Sequence, residues 1–192
     1  MTRRQVVQTG IVGTAAAALL RVPDAAAAGA VAPSDSAVLA RTLRIEQLVV
    51  IAYERVLTSG LLAPGVSGQL RTILGQEHRH VAVLERALRE LGAALPRTSD
   101  SAAERQLAAH HVHVGLGSLR DQHDCLKLLI DVESLAEGAY YASISKLSDP
   151  GLMRTSIAAM GCEAQHWTLL NAIQHPGKLY RSVPYPFVQG SP

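Results

Sequence analysis

Apolar positions along the chain fall into four long stretches with helical spacing. The first begins near Asp35-Ser36 and ends at Ser59-Gly60, with a seam of Leu39, Leu43, Glu46, Val50, Tyr53 and Leu57. The second opens after Pro64-Gly65 and closes at Gly92, with Leu70, Leu74, Glu77, Val81, Leu84, Leu88 and Leu91 on one face. The third runs from near Ser118 to near Ser148 through Leu126, Ile130, Glu133, Glu137, Tyr140, Ile144 and Leu147. The fourth carries Leu152, Ser156, Ala159, Glu163, His166 and Leu170, and Pro176 stops it. Steps of three and four keep each set on one helical face. Serine and aspartate at the starts can accept hydrogen bonds from free backbone N–H groups, and glycine suits a helix end. Asp149 is the expected N-cap of the fourth helix; Pro150 follows in its first turn, where a missing N–H costs nothing. The pattern predicts an all-α fold, a bundle of four long helices.

Every stripe has a glutamate near its middle. An ionised carboxylate in an apolar core costs several kcal/mol (~3–5 when left unpaired) unless a cation or metal compensates it. Glu46 and Glu77 lie at similar distances from the Gly60–Gly65 turn, so an antiparallel hairpin sets them at one height. Glu133 and Glu163 stand in the same relation to the turn at Asp149-Pro150. The join between the hairpins, residues 93–117, is long enough to travel the length of the bundle. Ser99-Asp100-Ser101 is placed to cap a short helix within this crossover, ending at about His111.

The two halves repeat one another. Glu46 and Tyr53 share the spacing of Glu133 and Tyr140, and Gly75-Gln76-Glu77-His78-Arg79-His80 matches Gly161-Cys162-Glu163-Ala164-Gln165-His166. Such a duplication implies a pseudo-two-fold bundle. In Glu-x-x-His the two side chains share a helical face, so carboxylate and imidazole converge. One copy is a weak signal; two copies, each joined by a seam glutamate from another helix, are a strong one. Glu46, Glu77, His80, Glu133, Glu163 and His166 supply four carboxylates and two imidazoles, a donor set suited to two iron or two manganese ions, with two glutamates able to bridge. Zinc suits the donors but brings no redox chemistry.

With all six positions filled in order, residues 36–174 resemble the ferritin-like di-metal carboxylate superfamily, in particular its exported, desiccation-related branch. The resemblance implies a ferritin-like four-helix bundle around a di-metal centre, with oxygen or peroxide as reaction partner. Relatives oxidise ferrous iron or consume peroxide, and the fold alone does not choose between these. No Cys-x-x-Cys pair provides a rubredoxin-type iron site, and no fifth helix follows residue 176, so an iron-storing cage is not expected.

Glu137 is a fifth seam carboxylate, one turn after Glu133, where the first half has Val50. It reads as a catalytic proton relay or extra ligand, or else as a rim glutamate reaching water. Tyr53 and Tyr140 are expected to pack in the core, with hydrogen bonding near the metals as the alternative, Trp167 is expected to pack, and His78 to face solvent. His110, His111 and His113 are expected to form an exposed cluster rather than a second metal site. Cys125 and Cys162 sit at different heights, so each is expected to be a small buried residue rather than half of a disulfide.

Composition agrees with the helical reading: of 192 residues 48% are apolar and only 4% aromatic. A net charge of +2 gives no footprint for nucleic acid. Residues 1–32 are set aside as an address: Arg3-Arg4, an apolar run from Thr9 to Leu20 and the small residues Ala25 to Ala28 resemble a twin-arginine signal. That run is too short for the ~20 residues that span a bilayer. The expected organisation is signal and linker (1–32), bundle (33–176) and extended tail (177–192). It points to the twin-arginine export machinery as a partner and to a periplasmic, envelope or extracellular destination; a homodimer is left open. Two functions fit: a di-metal oxidoreductase, or a non-catalytic stress or envelope bundle in which metal is structural or absent.

Overall fold

The computed structural model describes residues 33–182, all helical or irregular. Five helices follow in order: α1 (Asp35–Thr58), α2 (Pro64–Glu90), α3 (Asp100–Ala109), α4 (Gln122–Ile144) and α5 (Pro150–Gln174), with a 3₁₀ turn at Leu179–Arg181. The four long helices are those the hydrophobic spacing predicts, and α3 is the short helix of the crossover. None of the described helices is long and apolar enough to cross a membrane. The segment read as a signal, residues 1–32, and the residues beyond 182 lie outside the described residues.

Capping chemistry sets the boundaries. Ser34 Oγ accepts from Ala37 N at 3.3 Å and starts α1. This frees Asp35 to reach across the molecule, where it accepts from Ser148 N (2.8 Å), Ser148 Oγ (2.9 Å) and Asp149 N (3.0 Å). Asp149 caps α5 through Leu152 N at 2.8 Å, as its position before Pro150 predicts. The helix expected from near Ser118 starts later. Ser118 Oγ closes a turn with Gly115, Gly117 N donates to Glu104, and Asp121 takes the N-cap by accepting from Asp124 N. Gly60 and Gly92 have φ of 74° and 67°, the left-handed geometry that ends a helix at little cost when no side chain is present.

The contact of Asp35 with Ser148 puts the start of α1 beside the end of α4. Ala63 N donates to Gln122 Oε1, which puts the start of α2 beside the start of α4. The hairpins α1–α2 and α4–α5 therefore pack with α1 antiparallel to α4, and the crossover returns along the bundle. α1 packs closely on α2 and α4, and α4 on α5, whereas α1 meets α3, and α2 meets α5, more sparsely. The buried seams of α1 and α4 are correspondingly wider than the spacing alone suggests. Val49, Val56, Leu129, Ala136 and Ser143 are buried, while Val50, Leu57, Ile130, Glu137 and Ile144 sit half-buried at the edge.

The core has two apolar parts. One, around Leu48, Val56, Leu70, Leu129 and Leu170, also takes in Leu107 and Leu116 from the crossover. The other, around Leu39, Leu43, Leu84, Leu88 and Leu147, lies at the opposite end of the bundle. Between them is a belt of buried glutamates and histidines.

Candidate metal centre

Four helices each bring a glutamate into this belt: Glu46 from α1, Glu77 from α2, Glu133 from α4 and Glu163 from α5, all at 0% exposure. His80 and His166, one turn after their glutamates, complete the six. The side chains form two overlapping groups, Glu46-Glu77-His80-Glu163 and Glu77-Glu133-Glu163-His166, whose donor atoms lie within 4.8 Å of one another. Glu77 and Glu163 belong to both.

The halves are interlocked rather than side by side. His80 Nδ1 lies 2.7 Å from Glu163 Oε1 but 3.5 Å from Glu77 Oε2, the glutamate of its own motif. His166 Nδ1 mirrors this, 2.7 Å from Glu77 Oε1 and 3.4 Å from Glu163 Oε2. The two imidazoles lie 6.2 Å apart with planes inclined by 28°. Despite these short distances, Nδ1 of both imidazoles and both oxygens of Glu46, Glu77 and Glu163 lack aligned hydrogen-bond partners. Buried polar atoms almost always find one. Donor atoms that converge without bonding one another are arranged around common points, and the set fits two divalent cations.

Charge inside the belt is strongly perturbed. Burial, then the charges of Glu163 and Glu77, push the Glu46 carboxyl well above the usual range. Burial also raises Glu133, reinforced by Glu163 and Glu77 and opposed by His166. Burial opposes ionisation of Glu163 too, but the imidazoles of His166 and His80 more than offset it and hold it down to about 2. Burial works against a charged His80, yet Glu163 and Glu77 beside it win and push it up to about 11. His166 is raised in the same way, by Glu133, Glu163 and Glu77 against burial.

Tyr53 does more than pack. Tyr53 O–H donates to Glu133, on the helix of the other half. Tyr140 lies near Glu46 without an aligned hydrogen bond to it, its pKa raised by burial and then by the charge of that carboxylate. Both tyrosines are buried in the apolar core, as expected, and Tyr53 adds a hydrogen bond there. Two turns from its own glutamate, it is carried across the axis to the partner glutamate by the antiparallel packing of α1 on α4.

One contributor has no motif to announce it. Gln76 Oε1 lies 2.7 Å from His166 Nε2 and accepts its N–H, which orients Nδ1 into the belt. Its counterpart in the second half is Cys162, whose Sγ lies 3.4 Å from the same His166 nitrogen. His80 gains no equivalent partner and is the more open imidazole, 14% exposed against 4% for His166. It lines a cleft of about 240 Å³ between α2 and α5, with Val83, Tyr140, Thr155 and Ala158.

Glu137 falls outside both donor groups. It is half-buried, and burial followed by the charge of Glu163 raises its pKa. His110, His111 and His113 are exposed and join no cluster among the described residues, His78 is exposed, and Trp167 is half-buried. Both cysteines are free. Asp121, His123 and Asp124 also lie close together, but Asp124 is paired with Arg120 and Asp121 serves as a cap.

An all-helical bundle with two Glu-x-x-His motifs and two further glutamates at one level defines a class of carboxylate-rich helical bundles with a candidate metal site. Residues 34–176 match the ferritin-like domain, and the chain belongs to that family. Neither curated proteins nor solved structures gave a significant match.

Proposed function

We propose that the chain holds two iron or two manganese ions in this belt and oxidises ferrous iron or consumes peroxide. The carrying observation is the pair of donor groups that share Glu77 and Glu163, with fully buried oxygens unbonded to one another. Glu46 and His80 would hold one ion, Glu133 and His166 the other, and Glu77 and Glu163 would bridge. Such ions supply one-electron redox chemistry and open positions for a small oxidant. The chain supplies the rest. Its buried carboxylates set the charge, Gln76 orients His166, and the cleft at His80 gives a small molecule a way in. That cleft favours the redox reading over a purely structural metal.

In this reading Glu137 passes protons between solvent and the belt. Its half-buried position and raised pKa let it hold a proton nearer neutrality than an ordinary carboxylate. Elemental analysis of protein purified with iron and manganese present should find two ions per chain. Glu77→Ala and Glu163→Ala should each weaken both ions and abolish turnover of peroxide or ferrous iron, whereas Glu137→Val should keep both ions and lose turnover. A wild-type chain without metal, or a Glu77→Ala/Glu163→Ala double variant that still holds two ions, refutes the assignment.

We further propose that residues 1–32 direct export through the twin-arginine route, which carries folded proteins and so permits loading before transport. The support is the Arg3-Arg4 pair with its short apolar run. Changing both arginines to lysine should strand the precursor in the cytoplasm; undiminished export removes the reading.

A further inference from the structure

Outside the belt, a pocket of about 340 Å³ opens between α1 and α4. It exists because the helix within the crossover, α3, is short. α3 has ten residues and covers one half of the groove between these helices, where Ala103 and Leu107 are buried. The other half stays open, with Gln106 and His110 forming its end wall. Small side chains deepen it: Gly138, Ala139 and Ala142 of α4 form the floor, flanked by Val38 and Leu135. The hydroxyls of Thr42 and Ser143 at the base bond each other at 2.7 Å and make no demand on a ligand, while the Gln106 side-chain oxygen in the end wall is buried without a partner.

The charged groups of the rim have one sign. Arg41 and Arg44 rise from α1 and Lys146 stands just past the end of α4, with no carboxylate among the lining residues. Arg41, Arg44 and Lys146 are exposed, and none of them forms an ion pair among the described residues. The nearby Asp35 is engaged with Ser148 and Asp149. An apolar floor under unpaired cations is complementary to a molecule with an apolar body and an anionic head, and the volume lies in the range of small-molecule sites. A second copy of the chain is a poor occupant, since a two-fold contact through this face would set the cations against themselves.

We propose that this pocket binds an aliphatic carboxylate, with its chain on Ala139, Ala142 and Leu135 and its head held by Arg41, Arg44 and Lys146. The site uses none of the six belt residues and stands or falls independently of the metal assignment. The test is calorimetric titration of the full chain with decanoate below its aggregation concentration, beside decanol and butyrate, with light scattering to record the oligomeric state. Decanoate should bind saturably at one site per chain; decanol and butyrate, each lacking one half of the recognition, should bind about tenfold or more weakly. Ala142→Trp fills the floor and should abolish binding with helix content unchanged. Arg41→Gln/Lys146→Gln leaves the packed interior intact and should weaken decanoate about tenfold or more without affecting decanol. Absence of saturable decanoate binding, equal affinity for decanol, or a charge variant that binds like the wild type overturns the proposal. So does self-association through this face that Ala142→Trp disrupts.

Discussion

At the scale of single residues, the duplicated halves differ where it matters for the imidazoles. Gln76 fixes His166, while Cys162 stands at the matching place and leaves His80 without a fixed acceptor. Partners that orient a ligating histidine are commonly worth 10–100-fold in metal affinity. Gln76→Leu should therefore weaken one of two ions by about tenfold or more in a competition titration, and Gln76→Glu, which keeps an acceptor, should restore it. Equal weakening of both ions would show that Gln76 acts on the bundle as a whole. The six donors themselves are readable from the chain because charge in an apolar stripe is costly and the stripes repeat. Gln76 is not, since a glutamine beside a seam residue is ordinary until α2 and α5 are folded together. The tyrosines fall between. Their spacing from Glu46 and Glu133 is visible, but a seven-residue step cannot say that the Tyr53 hydroxyl serves the opposite glutamate.

At the scale of elements, the four long helices follow from their spacing, while their exact faces do not. A strict three-four repeat places Val50, Glu137 and Ile144 on the seam, but an α-helix drifts by ~20° per heptad from that repeat. Burial of α1 and α4 from several sides then brings in Val49, Ala136 and Ser143. The start of α4 was set by side-chain caps that compete locally, with Asp121 prevailing over Ser118. Asp35 shows what a terminal residue gains when a neighbour does the capping. Released by Ser34, it ties the start of α1 to the α4–α5 turn. Hydrogen bonds from the Ser148 backbone outweigh the small burial cost and, with the Ser148 hydroxyl and Asp149 N–H, hold its pKa below the ordinary value. Its folded pKa is lower than its unfolded one, so the tie is fully present above the ordinary carboxylate range and fades as pH falls through the depressed value. Asp35→Asn should lower the melting temperature at pH 7 and flatten the acid limb of the stability curve. A variant with an unchanged acid limb would show that the tie carries no linkage.

At the scale of the whole molecule, the belt makes apo and metal-loaded proteins respond to pH in opposite directions. Without metal, Glu46 and Glu133 are raised above their unfolded value of 4.5, and His80 rises from 6.5 to about 11. His166 shifts upward as well. Each of these groups holds its proton more tightly folded than unfolded. Their contribution is complete below the unfolded pKa values and is lost as pH climbs, through the carboxylates from about 4.5 and through His80 between 6.5 and about 11. Glu163 has the opposite sign, but its share disappears only as pH falls from 4.5 towards about 2. From pH 5 to 9 the apoprotein should therefore lose stability steadily. Metal reverses the sense, because its ligands must shed the same protons, so affinity and the stability it confers grow with pH. Melting curves of chelator-treated and reloaded protein should thus diverge as pH rises, and loading at neutral pH should release protons, seen as a dependence of binding heat on buffer ionisation enthalpy. Parallel melting curves, or proton uptake on loading, would mean that the belt is stapled by its own ion pairs and that its glutamates are not poised for metal.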